Sequence, residues 1–117
     1  MKRRDVRVYL FDIIQAAQRL AQFACGKTFA DYERDAMLRS AVERQFEIIG
    51  EALSQALQVA PELEAQIGGA RRVVAFRNRL IHGYASIAND IIWNALQNDL
   101  PALREQIEEL LAESDRQ

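Results

Sequence analysis

The chain has 117 residues, half of them hydrophobic and 27% charged, with a net charge of −2. That is one globular domain's worth, residues 1–117, able to bury roughly two-thirds of its unfolded surface in a modest core. A single cysteine, Cys25, excludes an internal disulfide framework, and a single histidine excludes a multi-histidine metal centre within one chain.

The start, Met1-Lys2-Arg3-Arg4, has the charge of a signal-peptide n-region, but Asp12, Gln15, Gln18 and Arg19 interrupt the apolar residues that follow. No run approaches the ~18 apolar residues of a membrane span, so the expected location is the cytoplasm. The first helix is expected from about Arg4 to Cys25, with Leu10, Ile13, Ile14, Ala17, Leu20, Ala21 and Ala24 at helical spacing and Gly26 as a stop.

A second helix is expected from Asp31, a good N-cap residue, to about Val59, with Val42, Phe46, Ile49, Leu53, Ala56 and Leu57 as its apolar stripe. Arg39, Glu43, Glu47 and Glu51 form an i, i+4 charged row, expected to be a solvated face with weak ion pairing. A helix this long also offers a dimer interface. Pro61 begins a break, Glu62 to Ile67 is expected to form one short helical turn, and Gly68-Gly69 ends it.

The third main helix runs from Ala70 to Ile81 or His82, with Val73, Phe76 and Leu80 inward and Gly83 placed for a left-handed cap. The last begins near Asn89 or Asp90 and turns Ile92, Leu96, Leu103, Ile107 and Leu110 to the core. Pro101 should kink or break it, because proline removes a backbone donor and crowds the preceding turn. The expected fold is all-α: an antiparallel bundle of four main helices plus a short helical turn.

Charge is unevenly spread. Between Glu64 and Asp90 there is no acidic residue, and that interval holds Arg71, Arg72, Arg77, Arg79 and His82. A local basic patch on an acidic chain suggests an anionic ligand, and Arg71, Arg72 and Arg79 are candidate contacts to it. A basic helix packed beside the acidic C-terminal stretch would produce the same pattern.

Within this interval Arg77 can bind a phosphate, and His82 can move a proton near neutral pH. Asn78 and His82 are four residues apart and share a helical face, so Asn78 could orient the imidazole. Arg77 and His82 are five apart, ~140° around a regular helix, and converge only through an opened last turn or a second chain. Taken alone, these residues better describe an ordinary helix end, with His82 interacting with the terminal carbonyls.

The spacing Arg77, four residues, His82, one residue, Tyr84 resembles the Arg-x4-His-x-Tyr motif of HepT-like toxins in the HEPN superfamily. The polar Asn78, the Ile49-Gly50-Glu51-Ala52 stretch, Trp93 and Leu100-Pro101 fit as well, so the resemblance spans essentially the whole chain. It implies a metal-independent endoribonuclease without a cofactor, the toxin of a type II/VII-like toxin–antitoxin pair. Two chains would place their motifs in a shared cleft. Arg77 would position the scissile phosphate, His82 would act as general acid or base, and Asn78 would orient or assist. The internal 2′-hydroxyl nucleophile would restrict cleavage to RNA. The implied partner is a nucleotidyltransferase antitoxin that transfers AMP to Tyr84. For Glu51 the resemblance implies a structural or site-shaping role. The alternative is a non-catalytic nucleotide- or substrate-binding subunit of a nucleotidyltransferase, which would need no proton-transfer group. A plain helical dimerisation domain is a third reading, against which the acid-free basic interval argues.

Overall fold

Asp5 opens α1 (Val6–Ala24), accepting the Arg7 N–H at 2.9 Å, and satisfies one of the donors that a helix start leaves over. The computed structural model describes residues 5–82 and 87–116. The described residues form helices and no strand, and no described helix is long and apolar enough to cross a membrane.

The expected second helix is two helices, α2 (Phe29–Arg34) and α3 (Ala36–Val59). Thr28, not Asp31, caps α2. The Asp31 N–H donates to Thr28 Oγ1 at 3.2 Å, and the Thr28 N–H donates to Asp31 Oδ2 at 2.9 Å. Asp35 makes the break. Its backbone is extended, and its carboxylate accepts the Leu38 N–H at 3.1 Å, so the side chain starts a new helix where the old one stops. Arg39 donates back to the Tyr32 and Glu33 carbonyls at the end of α2. The bend buries Tyr32 completely, its ring centroid 5.4 Å from that of Trp93.

The turn after Pro61 is α4 (Leu63–Gln66), and Gly69, at φ 75°, leads into α5 (Ala70–Ile81) as expected. The C-terminal run starts as α6 (Asn89–Asn94), widens through a π-helical turn at Ala95–Asp99 and continues as α7 (Leu100–Arg116). Pro101 therefore does not break the helix. Its ring would crowd the carbonyl of Gln97 in a regular turn, and the wider turn just before it makes the room.

The long helices pack in the order α7, α1, α3, α5. Leu10, Ile13, Ala17 and Leu20 of α1 meet Val42, Phe46, Ile49 and Leu53 of α3, and Leu103 and Ile107 of α7 close the far side. Each large aliphatic buried there contributes about 2 kcal/mol. Because α5 is at the edge and packs chiefly on α3, only Ala70 of α5 is fully buried; Val73, Phe76 and Leu80 are half-buried. The Phe46 and Phe76 rings meet edge-to-face at 5.3 Å and hold α5 against α3. In α1 it is Ala16 that is buried, while Ala21 is exposed.

Burial pushes the Tyr32 hydroxyl up to about 12, with the Glu43 charge adding to the shift. A folded-state value above the unfolded value of 10.0 leaves stability intact below pH 10 and removes it as pH rises toward 12. Urea unfolding at pH 7, 10 and 12 should show this loss, and Tyr32→Phe should reduce the decline between pH 10 and 12.

Candidate active site

The site begins with a close approach of two helices. Gly50 of α3 lies against the stem of Arg77 in α5. A Cβ on Gly50 would stand 2.1 Å from Arg77 Cβ and 2.7 Å from Arg77 Cγ. Only a residue without a side chain lets the arginine stem lie there.

The stem carries the guanidinium to the next residue of α3. Arg77 Nη2 donates to Glu51 Oε2 at 2.6 Å, and Arg77 Nη1 donates to Asn78 Oδ1 at 2.8 Å. Glu51 is braced in turn, its Oε1 accepting from Gln55 Nε2 at 3.1 Å. Arg77 Nε is buried and has no hydrogen-bond partner among the described residues. The guanidinium is therefore fixed on two sides by α3 and by its own neighbour. Each terminal nitrogen keeps a second N–H, the fork geometry suited to a phosphate. The side chain is 27% exposed, so the remaining donors can reach a ligand.

Asn78 thus engages Arg77 with its side chain rather than orienting His82. Its backbone does touch the histidine: the His82 N–H donates to the Asn78 carbonyl at 3.0 Å and closes the last turn of α5. That turn stays helical to its end, with exposed His82 as C-cap. Opening of the last turn, one of two ways to bring Arg77 and His82 together, is not the arrangement adopted here. Regular geometry leaves the two side chains ~140° apart on α5. Gly83 and Tyr84 lie outside the described residues.

The other basic residues of the interval stand apart from Arg77. Arg71 is ion-paired with Glu64, and the Arg72 guanidinium folds over Gly69. Arg79 is exposed and makes no ion pair among the described residues. None of the three lines the groove that Arg77 enters.

That groove, of about 420 Å³, runs along α3 between α1 and α5. Tyr9 and Asp12 form its α1 wall, Arg77 and Ile81 its α5 wall, and Arg44, Glu47, Ile48 and Glu51 part of its floor. The charged row on α3 is therefore not the solvated face expected from its spacing. Glu43 and Glu47 are half-buried. Burial, then the charge of Glu47, pushes the Glu43 carboxyl above its ordinary value. Glu51 ends the row on Arg77. Arg44 and Asp12 gave no signal in sequence, because each is a lone charge on a helix until three helices are brought together.

Among known proteins, the family described as ribonuclease HepT-like matches residues 13–110. The Methanocaldococcus jannaschii protein named putative RNase MJ1380 is 31% identical across 92% of this chain and 98% of its own length. Probable ribonuclease HepT of Thermococcus cleftensis is also 31% identical, across 92% of this chain and 97% of its own length. A longer M. jannaschii protein, named gamma-glutamylcyclotransferase and putative RNase MJ0434, is 29% identical across 97% of this chain, which covers 51% of it. No solved structure gives a significant match.

The Gly50 contact can be tested against the ion pair. Gly50→Ala gains ~1 kcal/mol of helix propensity but forces α3 and α5 apart, and should lower unfolding free energy by about 1–2 kcal/mol net. Glu51→Gln, at an exposed pair, should change stability by less than about 1 kcal/mol. Urea titration of both variants measures the contrast.

Proposed function

This chain belongs to the HepT-like ribonuclease family, and on that premise we propose that it is a metal-independent endoribonuclease and the toxin of a type II/VII-like toxin–antitoxin pair in the cytoplasm. The observation that carries this reading is Arg77. It is held by Glu51 and Asn78 at the edge of a groove, with donors left over for a phosphate and His82 five residues further along the same helix.

In this reading the ribose 2′-oxygen attacks the neighbouring phosphorus. The 2′-O–P bond forms, the P–O5′ bond breaks, and the products are a 2′,3′-cyclic phosphate and a 5′-hydroxyl. Arg77 offsets the negative charge that builds on the phosphoryl oxygens. Glu51 is a positioning residue that acts through Arg77, and Asn78 does the same from the other side. One histidine takes the 2′-hydroxyl proton and one gives a proton to the leaving oxygen. Each chain has one histidine, and the regular end of α5 turns it away from its own Arg77. Both facts support a cleft completed by a second copy, with each chain's His82 serving a shared site.

The proposed partner is a nucleotidyltransferase that moves AMP from ATP to the Tyr84 hydroxyl: the tyrosyl O–P bond forms, the α–β phosphoanhydride breaks, and pyrophosphate and the phenolic proton leave. A phosphodiester two residues from His82 would place a negative charge and an adenosine where RNA phosphate must sit.

Purified protein incubated with single-stranded RNA and EDTA should cleave it. Arg77→Ala should lower the rate about 10²–10³-fold and His82→Ala about 10²–10⁴-fold, with unchanged circular dichroism. Tight nucleotide binding with no cleavage by the unmodified protein would instead identify the non-catalytic binding subunit. Co-expression with a nucleotidyltransferase of the proposed antitoxin class should add whole AMP units to the intact mass, mapped by peptide sequencing to Tyr84. AMP mapped to another residue would refute that assignment.

A further inference from the structure

We propose that Arg44 is the second RNA-binding cation of this site, holding the phosphate next to the one at Arg77. This rests on the reading of Arg77 as a phosphate ligand. Arg44 lies outside the basic interval of the sequence, yet it lines the same groove as Arg77 while Arg71, Arg72 and Arg79 do not. It sits six residues before Gly50, the residue against which the Arg77 stem lies. That is ~9 Å along the axis of α3, a span that one nucleotide and a flexible arginine bridge together.

Its present partner is weak. Arg44 Nη1 is 3.6 Å from Glu47 Oε1, and the Arg44 side chain is 68% exposed. A long contact made by an exposed arginine is readily exchanged for a phosphate, which an arginine can grip with two parallel hydrogen bonds. Arg77 differs: its grip on Glu51 is shorter, at 2.6 Å, and its stem is fixed by Gly50. The groove thus has one fixed guanidinium and one adaptable one. Ile48 on the floor and Ile81 on the α5 wall supply apolar surface for the sugar and base. Asp12, Glu47 and Glu51 line the same groove, so a phosphate at Arg44 has to displace Glu47 and one at Arg77 has to share the guanidinium with Glu51.

Binding of a fluorescein-labelled 2′-O-methyl oligoribonucleotide, which lacks the attacking hydroxyl, tests this without cleavage. Fluorescence anisotropy across a salt series gives both affinity and its salt slope. Arg44→Ala should weaken binding roughly tenfold at low salt and reduce the log–log salt slope by ~0.7, the share of one phosphate on a single strand. Arg44→Lys should restore the slope. Wild-type affinity and slope in Arg44→Ala would overturn the proposal, as would a loss that the lysine variant does not recover. The parallel Arg77→Ala titration separates the two readings. If it loses affinity while Arg44→Ala does not, the Arg44 proposal alone fails. If Arg44→Ala weakens binding and Arg77→Ala has no effect, Arg44 binds a phosphate but the reading of Arg77 is wrong. Absence of RNA binding by the wild-type dismisses both.

Discussion

The contact between Gly50 and the Arg77 stem sets the distance between α3 and α5, and the site follows from that distance. A side chain at Gly50 would collide with Arg77 Cβ, so the helices can meet this closely only at a glycine. Once they do, Glu51 is the next residue along α3 and the guanidinium reaches it at 2.6 Å. The same approach forms the groove between α1, α3 and α5, with Arg77 on one wall and Arg44 on the floor. A core contact and a chemical site are thus one feature of the packing, in which the stem of Arg77 serves the first and its head the second.

The edge position of α5 is the second constraint. Packed chiefly against α3, it leaves much of its surface uncovered, including exposed His82 and, on the groove side, Ile81, which is 46% exposed. A helix with this much uncovered surface is suited to meeting another molecule, whether RNA or a second copy. The proposed ribonuclease needs both, because one regular helix cannot turn positions 77 and 82 to the same point. Catalysis by this motif would then depend on assembly.

Several features of the fold were legible because they depend on nearest neighbours along the chain. The apolar stripes on α1, α3 and α7 follow helical spacing, and the expected core residues Ile13, Leu53 and Ile107 are buried. Other features depended on competition that spacing does not reveal. Asp35 was hidden inside a helical pattern, yet its side chain caps a new helix and lets Tyr32 reach Trp93. Pro101 was expected to kink or break the last helix; the helix is not broken, because a widened turn at Ala95–Asp99 makes room for the ring, with Leu96 in that turn and Leu100 just after it both buried.

By itself the sequence determined the helical class, the order and approximate limits of the main helices, and the motif Arg77, His82 and Tyr84 with its family resemblance. These are encoded locally, in period, caps and spacing. The partners of Arg77 were decided by tertiary structure. Asn78, which shares a face with His82, bonds Arg77 instead, since the guanidinium comes to rest beside it once Gly50 fixes the stem. Glu47 and Glu51 belonged to a row of charges that reads as solvent-facing on an isolated helix, and Arg44 stood outside that row. Tertiary packing put all three on the floor of one groove, because α1 and α5 both pack on α3 and leave a charged strip between them.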